Sequence, residues 1–225
     1  MATQLDLQEQ EQLDALKAFW NKYGNLATWT LVAVLGAFAA WNGWQYLQRE
    51  QGFKAGGMYE ELERAALAGD VDKTTRVLAD LKTQYGSTAY AQQGALLAAK
   101  VQLDKGQLDA AKATLASVAD SGADDEVRAV ARLRLAAVLA EAKQFDEALK
   151  ALDGATAPGF EALVADRRGD VLSLQGKKPE AVAAYQVAYK NLDAKADYRR
   201  LVDAKLTALG APPEPVADAA SGAAK

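Results

Sequence analysis

The chain contains no cysteine and no histidine. Without cysteine there is no disulfide framework and no thiolate metal site, and the redox compartment stays open. Without histidine the commonest metal ligand is missing, and so is the one side chain that titrates near neutrality unperturbed. Metal-assisted hydrolysis and Ser-His or Cys-His nucleophilic catalysis are therefore excluded in their usual forms. Proline is scarce: of five, Pro158 and Pro179 stand inside the body of the chain and the other three crowd into Ala211-Pro212-Pro213-Glu214-Pro215. Charge of one sign is also lacking, since 26 basic residues face 30 acidic ones for a formal −4, so nothing asks for nucleic acid.

What is present begins with a long uncharged run. Residues 23–48 hold no Asp, Glu, Lys or Arg and lie between Lys22 and Arg49. A bilayer's hydrocarbon core is about 30 Å thick and takes roughly 20 mainly apolar helical residues to cross, a length that residues 26–47 supply. All four tryptophans, Trp20, Trp29, Trp41 and Trp44, lie in or beside this run together with Tyr23 and Tyr46. The rise from Tyr23 to Trp44 is about 32 Å, so aromatics fall near both interfaces, where amphipathic rings prefer to sit. A cleaved signal peptide is the competing reading, because Ala37-Phe38-Ala39 matches a small-x-small cleavage pattern. Against it, the leader carries Asp6, Glu9, Glu11 and Asp14, and apolar character continues through Trp41, Trp44 and Leu47. A retained anchor is the expectation. Lys17 and Lys22 on one side balance Arg49, Lys54 and Arg64 on the other, so charge does not orient the span. In a bacterium the economical arrangement is a single pass of the inner membrane with a short inside tail, 1–22, and the remainder in the periplasm. Within the run, Gly36, Ala40 and Gly43 put small residues on one side, a pattern that permits helix packing in lipid.

After the span the sequence is rich in Ala and Leu at helical spacing, as in Leu96, Ala99 and Leu103 or Leu133, Ala136 and Ala140, and it reads as helix throughout. A longer period is superposed. Asp104-Lys105-Gly106-Gln107-Leu108-Asp109-Ala110-Ala111 is echoed by Glu141-Ala142-Lys143-Gln144-Phe145-Asp146-Glu147-Ala148, by Leu174-Gln175-Gly176-Lys177-Lys178-Pro179-Glu180-Ala181, and more weakly by Leu67-Ala68-Gly69-Asp70-Val71-Asp72-Lys73-Thr74. Equating Thr74, Ala111, Ala148 and Ala181 gives steps of about 37, 37 and 33 residues, close to the ~34-residue tetratricopeptide period. The chain resembles tetratricopeptide repeats at specific positions. The small first-helix position is matched by Leu62, Ala99, Ala136 and Gly169, the small second-helix position by Thr74, Ala111, Ala148 and Ala181, and the large residue one turn later by Leu78, Leu115, Leu152 and Tyr185. Leu62 and Thr74 depart from the small pattern, which marks the first repeat as a looser cap.

Boundaries follow from local chemistry. Tyr85-Gly86-Ser87-Thr88 ends one helix and caps the next, Ser121-Gly122-Ala123-Asp124-Asp125-Glu126 sets acids on a helix start, and Ala157-Pro158-Gly159 breaks the chain before the fourth pair. A last helix over about 194–209 closes the array. The expected fold is all-α: a tetratricopeptide-like α-solenoid of about four helix pairs over 49–210, on a single N-terminal transmembrane helix over 23–48, with a disordered tail over 211–225.

Few residues invite chemistry. Asp124-Asp125-Glu126 read as a helix start rather than an acid–base pair or calcium loop, and Gly52 with Gly56-Gly57 reads as a hinge, since no phosphate-loop ending follows. No catalytic residue, cofactor or metal is expected. First helices of such repeats line a groove. Its candidate faces are Gln93, Leu96, Lys100 and Asp104, then Val130, Leu133, Ala137 and Glu141, then Leu163, Asp166, Asp170 and Leu174. Lys100 stands almost alone among acids there, which disfavours capture of a bare carboxylate and suits extended segments with apolar and basic side chains. The competing structural reading is that these leucines only pack between helices.

The whole arrangement, an acidic amphipathic tail, one span and four degenerate repeats, resembles the YfgM family, with Lys54-Ala55-Gly56 after the span among the matches. The resemblance implies an ancillary subunit of the SecYEG translocon, partnered with a membrane-anchored periplasmic prolyl isomerase, with a chaperone-like role toward unfolded or translocating polypeptides. The alternative is a structural scaffold of another envelope complex, of cell division or secretion.

Overall fold

The repeat turns decide the architecture. Among the residues described by this computed structural model, 7–122 and 124–213, the chain forms nine helices and no strand. These are α1 (Leu7–Leu67), α2 (Val71–Tyr85), α3 (Ala89–Asp104), α4 (Leu108–Ser121), α5 (Asp125–Glu141), α6 (Phe145–Asp153), α7 (Glu161–Leu174), α8 (Lys178–Asn191) and α9 (Asp197–Ala208). The expected tail over 211–225 lies outside the described residues from 214 onward, as do the first six residues of the tail over 1–22. Two compact units meet at Phe53 and Lys54.

In the second unit, α1 hands over to α2, α3 to α4, α5 to α6 and α7 to α8 through one kind of turn. A residue with positive φ stands at Gly69, Gly106, Lys143 and Gly176 in turn. The next residue's amide reaches back five positions, Asp70 to Ala65, Gln107 to Gln102, Gln144 to Leu139 and Lys177 to Leu172, at 2.7–3.0 Å. This double closure satisfies carbonyls that a helix end leaves unpaired, and glycine suits it because a Cβ is unfavourable at that φ. Lys143, at φ 60°, is the exception among the four. Lys143→Gly should raise the unfolding free energy by up to about 1 kcal/mol. A denaturant midpoint at or below the parent's would show that the turn is not strained there.

Other local devices fix where helices start and stop. Thr88 accepts the Ala91 amide and caps α3, while Asp70 accepts that of Lys73 and caps α2. Asp125 and Glu126 open α5, where the helix dipole favours carboxylates. Pro179 sits in the first turn of α8, the position where its missing N–H costs nothing. α6 is short: it stops at Gly154, whose carbonyl oxygen accepts a bond from the Arg132 guanidinium of α5, and the chain then turns through Pro158 and Gly159.

The repeat register is realised in the core. Leu62, Ala99, Ala136 and Gly169 are buried, as are Thr74, Ala111, Ala148 and Ala181, and Leu78, Leu115, Leu152 and Tyr185. Small residues let neighbouring helices approach to the short end of the usual 8–10 Å separation, and the large residue one turn on fills the space beneath. α9 closes the array with Val202 and Leu206, packed against Ala181, Tyr185 and Ala188. The glycines expected at a hinge, Gly52, Gly56 and Gly57, instead lie inside α1.

In the first unit the apolar run is uncovered, with Trp29, Leu35, Phe38, Trp41 and Trp44 all exposed. Among the described residues no single helix is long and apolar enough to cross a membrane. The bent pair Glu11–Leu26 and Thr28–Leu67, meeting at 45°, passes on length and composition.

Candidate functional site

α5 and α7 pack side by side and leave a cleft between them, about 350 Å³ in volume. Its floor is Ala137, Ala140 and Val171, kept low because alanine and valine are what the helix contact tolerates. Glu141, Arg167, Asp170, Leu174 and Tyr185 form its walls. Leu174 is 62% exposed although large and apolar, and Glu141 is exposed with no ion pair shown among the described residues. The arrangement offers a trough with an apolar floor, a paired Arg167 and Asp170 on its walls, and Glu141 beside them. It can hold a side chain or a short extended segment.

The other candidate positions divide between surface and core. Gln93, Lys100 and Asp104 are exposed on α3, the last two paired at 3.8 Å. Leu96, Val130, Leu133 and Leu163 are half-buried, with Leu96 against Ala99, Leu115 and Val138, and Leu133 against Ala136 and Leu139. These leucines are shared between face and core, so the packing role weighed against them is real. On α1, Gly36, Ala40 and Gly43 are uncovered.

Asp166 is a correction to the expected groove, while Asp170 keeps its place at the cleft wall with its charge already paired. Asp166 is only 1% exposed. Lys205 of α9 donates to Asp166 Oδ1 and Oδ2 at 2.8 and 2.9 Å and to Asp170 Oδ1 at 2.6 Å, so one ammonium bridges both carboxylates. Tyr198 donates to Asp166 Oδ2 at 2.6 Å, Tyr185 to Asp170 Oδ1 at 2.8 Å, and Arg167 to Asp170 Oδ2 at 3.3 Å. Every carboxylate oxygen has a donor and two cations balance two anions, which is the condition for burying such a group without large loss. The pair is structural, and the acidity expected along α7 is neutralised.

Burial, followed by the bond to Asp170, holds the Tyr185 hydroxyl well above the ordinary tyrosine range, and burial with the bond to Asp166 does the same for Tyr198. In both cases the folded state keeps a proton that the unfolded chain gives up. The stabilisation is present in full below about pH 10, the unfolded tyrosine value, and is lost as pH rises through the higher folded values. The melting temperature should therefore fall above about pH 10, and less steeply in Tyr185→Phe/Tyr198→Phe. Equal slopes for the two proteins would remove the tyrosines from the account.

Two guanidiniums were missed by reading the sequence. Arg134 donates from α5 to the Leu96 carbonyl of α3 at 3.3 Å, and Arg167 stands beside Asp170. Each lies one residue after a position read as groove-facing, Leu133 and Asp166, and a wider helical face would have included both.

The model of the tetratricopeptide repeat-like domain family matches residues 17–211. The ancillary SecYEG translocon subunit of Escherichia coli (strain K12) is 31% identical over 81% of this chain and 88% of its own length. The chain belongs to this family. Its Neisseria gonorrhoeae member, of the same name, is 30% identical over 90% of this chain and 98% of its own length. A solved structure, MamA AMB-1, aligns with a TM-score of 0.44 at 19% identity, over 70% of this chain and 84% of that one. The family model begins at residue 17 and so takes in the apolar run along with the repeats. Among the described residues no group of three acidic side chains converges as metal ligands.

Proposed function

We propose that this chain is a membrane-tethered interaction module that works beside the SecYEG translocon and assists export or folding of periplasmic proteins. Its partners in this reading are the translocon, a membrane-anchored periplasmic prolyl isomerase and the translocating polypeptide, and it contributes no chemistry of its own. The expected span over 23–48 is bent between Leu26 and Thr28, and in this reading its part after the bend crosses the bacterial inner membrane once, with the tail inside and the repeats in the periplasm. The relatives' name supports the first partner. The uncovered tryptophans and leucines of α1 support the span, since an exposed apolar face this long is otherwise an aggregation hazard.

The observation that carries the interaction role is the cleft between α5 and α7, with exposed Leu174 and Glu141 on an alanine floor. Apolar contact with Leu174 and attraction by Glu141 favour segments in which apolar side chains alternate with basic ones. In membrane vesicles holding a stalled translocation intermediate, a photo-crosslinker beside Leu174 should label the nascent chain. Leu174→Ser/Glu141→Lys should cut that labelling several-fold while changing domain stability by no more than about 0.5 kcal/mol, as exposed positions do. Undiminished labelling by a normally melting variant sinks the cleft as binding surface. Affinity capture in mild detergent tests the partner: recovery of cell-division or secretion machinery in place of translocon subunits would favour the scaffold alternative.

A further inference from the structure

The segment before the apolar run has a surface that the interaction role does not use. From Glu11 to Leu26 it is helical and meets the helix beginning at Thr28 at 45°. The bend has a local cause: the Thr28 and Thr30 hydroxyls donate at 2.8 Å to the carbonyls of Gly24 and Leu26, the competition with backbone bonds that tilts helices. Leu13, Leu16, Phe19, Trp20, Tyr23 and Leu26 recur at steps of three and one, so they form one stripe, and all six are exposed. At about 100° per residue, Asp14 falls near the middle of the opposite face, Glu11 falls on that face close to Lys22, and Lys17 and Lys22 fall toward its two edges.

We infer that residues 11–26 form an interfacial strap that lies along the lipid headgroups on the tail side of the membrane, with the stripe turned toward the acyl chains. The inference rests on the reading that the run after Thr28 spans the bilayer. Three observations choose lipid over a protein groove. Half of the stripe is aromatic, the composition that membrane interfaces select, and Phe19 and Tyr23 stand together at 5.1 Å. The lysines stand where long stems can run down the apolar flank while the ammonium stays with phosphates, and Lys22 Nζ already leans over the Tyr23 ring at 5.3 Å. The acids stay on the face away from the stripe, with Asp14 near its middle and paired with Lys17 at 3.4 Å. The described charges of this stretch, Glu11, Asp14, Lys17 and Lys22, cancel, so immersion is apolar in origin and does not depend on anionic lipid. A strap of this kind fixes the rotation and depth of the span.

The absence of native cysteine makes the test direct. The full chain is reconstituted in phosphatidylcholine vesicles, with and without phosphatidylglycerol, carrying one nitroxide at Leu16→Cys, Phe19→Cys, Asp14→Cys or Leu35→Cys. Collision with oxygen and with a water-soluble nickel chelate is measured at each. The expected result is a deep, oxygen-accessible Leu35 label and labels at Leu16 and Phe19 about 5–10 Å into the headgroup boundary. The oxygen-to-nickel ratio there should be several-fold above that at Asp14, and the same in both lipid mixtures. If Leu35 is deep while Leu16 and Phe19 are as wet as Asp14, the span stands and the strap is overturned. If Leu16 and Phe19 are shielded from both reagents, protein covers the stripe and the strap is again overturned. A water-accessible Leu35 overturns the span, and the strap with it.

Discussion

Lys205→Ala will cost the repeat domain about 3–5 kcal/mol, the loss expected when one partner of a buried ion pair is removed and the other is left uncompensated. Asp166, at 1% exposed, has no route to bulk solvent, and Tyr198 alone cannot replace an ammonium that served both of its oxygens. Asp170 loses the same cation and keeps Arg167 and Tyr185. Denaturant unfolding of the full chain in mild detergent measures the loss, and the double variant Lys205→Met/Asp166→Asn separates its causes. If the penalty is the stranded charge, the double variant will be more stable than Lys205→Ala; if it is lost packing, it will not. A single-variant loss below about 1 kcal/mol would mean the pair behaves as a screened surface pair.

Gly169→Ala will destabilise the domain by about 2 kcal/mol, against the usual direction of a glycine-to-alanine change within a helix. An added Cβ would stand 2.5 Å from two ring carbons of Tyr185 and 2.9 Å from a third. The ring cannot swing aside, because it is buried and its hydroxyl is tied to Asp170 at 2.8 Å. Gly57→Ala is the control: the same change within α1, where an added Cβ meets nothing within 4 Å, should stabilise by about 1 kcal/mol. Thermal melts showing both variants shifted the same way would refute the tight α7–α8 contact.

Much of the fold was legible from local rules. The positive-φ turn at Gly69, Gly106 and Gly176, the Thr88 cap, the Asp125-Glu126 helix start and the proline at the head of α8 are each decided by residues within a few positions of one another. The repeat register follows from the same locality carried over a period, because a small residue at Ala111, Ala148 or Ala181 is needed wherever two helices of a pair must touch. The candidate site was less legible. A face can be assigned to α3, α5 or α7 by spacing, but spacing does not say which residues on it a neighbour will claim.

The sequence by itself therefore determined an all-helical chain of paired repeats, an uncharged apolar run at one end and the absence of cysteine and histidine chemistry, since helix propensity, turn glycine and composition act over short distances. Only the tertiary structure decided that Asp166 belongs to the core with Asp170 tied to the same lysine at the cleft wall, that Arg132 ends α6 through the Gly154 carbonyl, and that Leu174 and Glu141 remain open at the cleft. The partners that settle these points come from far along the chain, as Lys205 does from 39 residues beyond Asp166. α9 carries no repeat motif that announces its lysine. Burial of a charge depends on where its counter-charge arrives in space, and that is fixed only when the last helix docks.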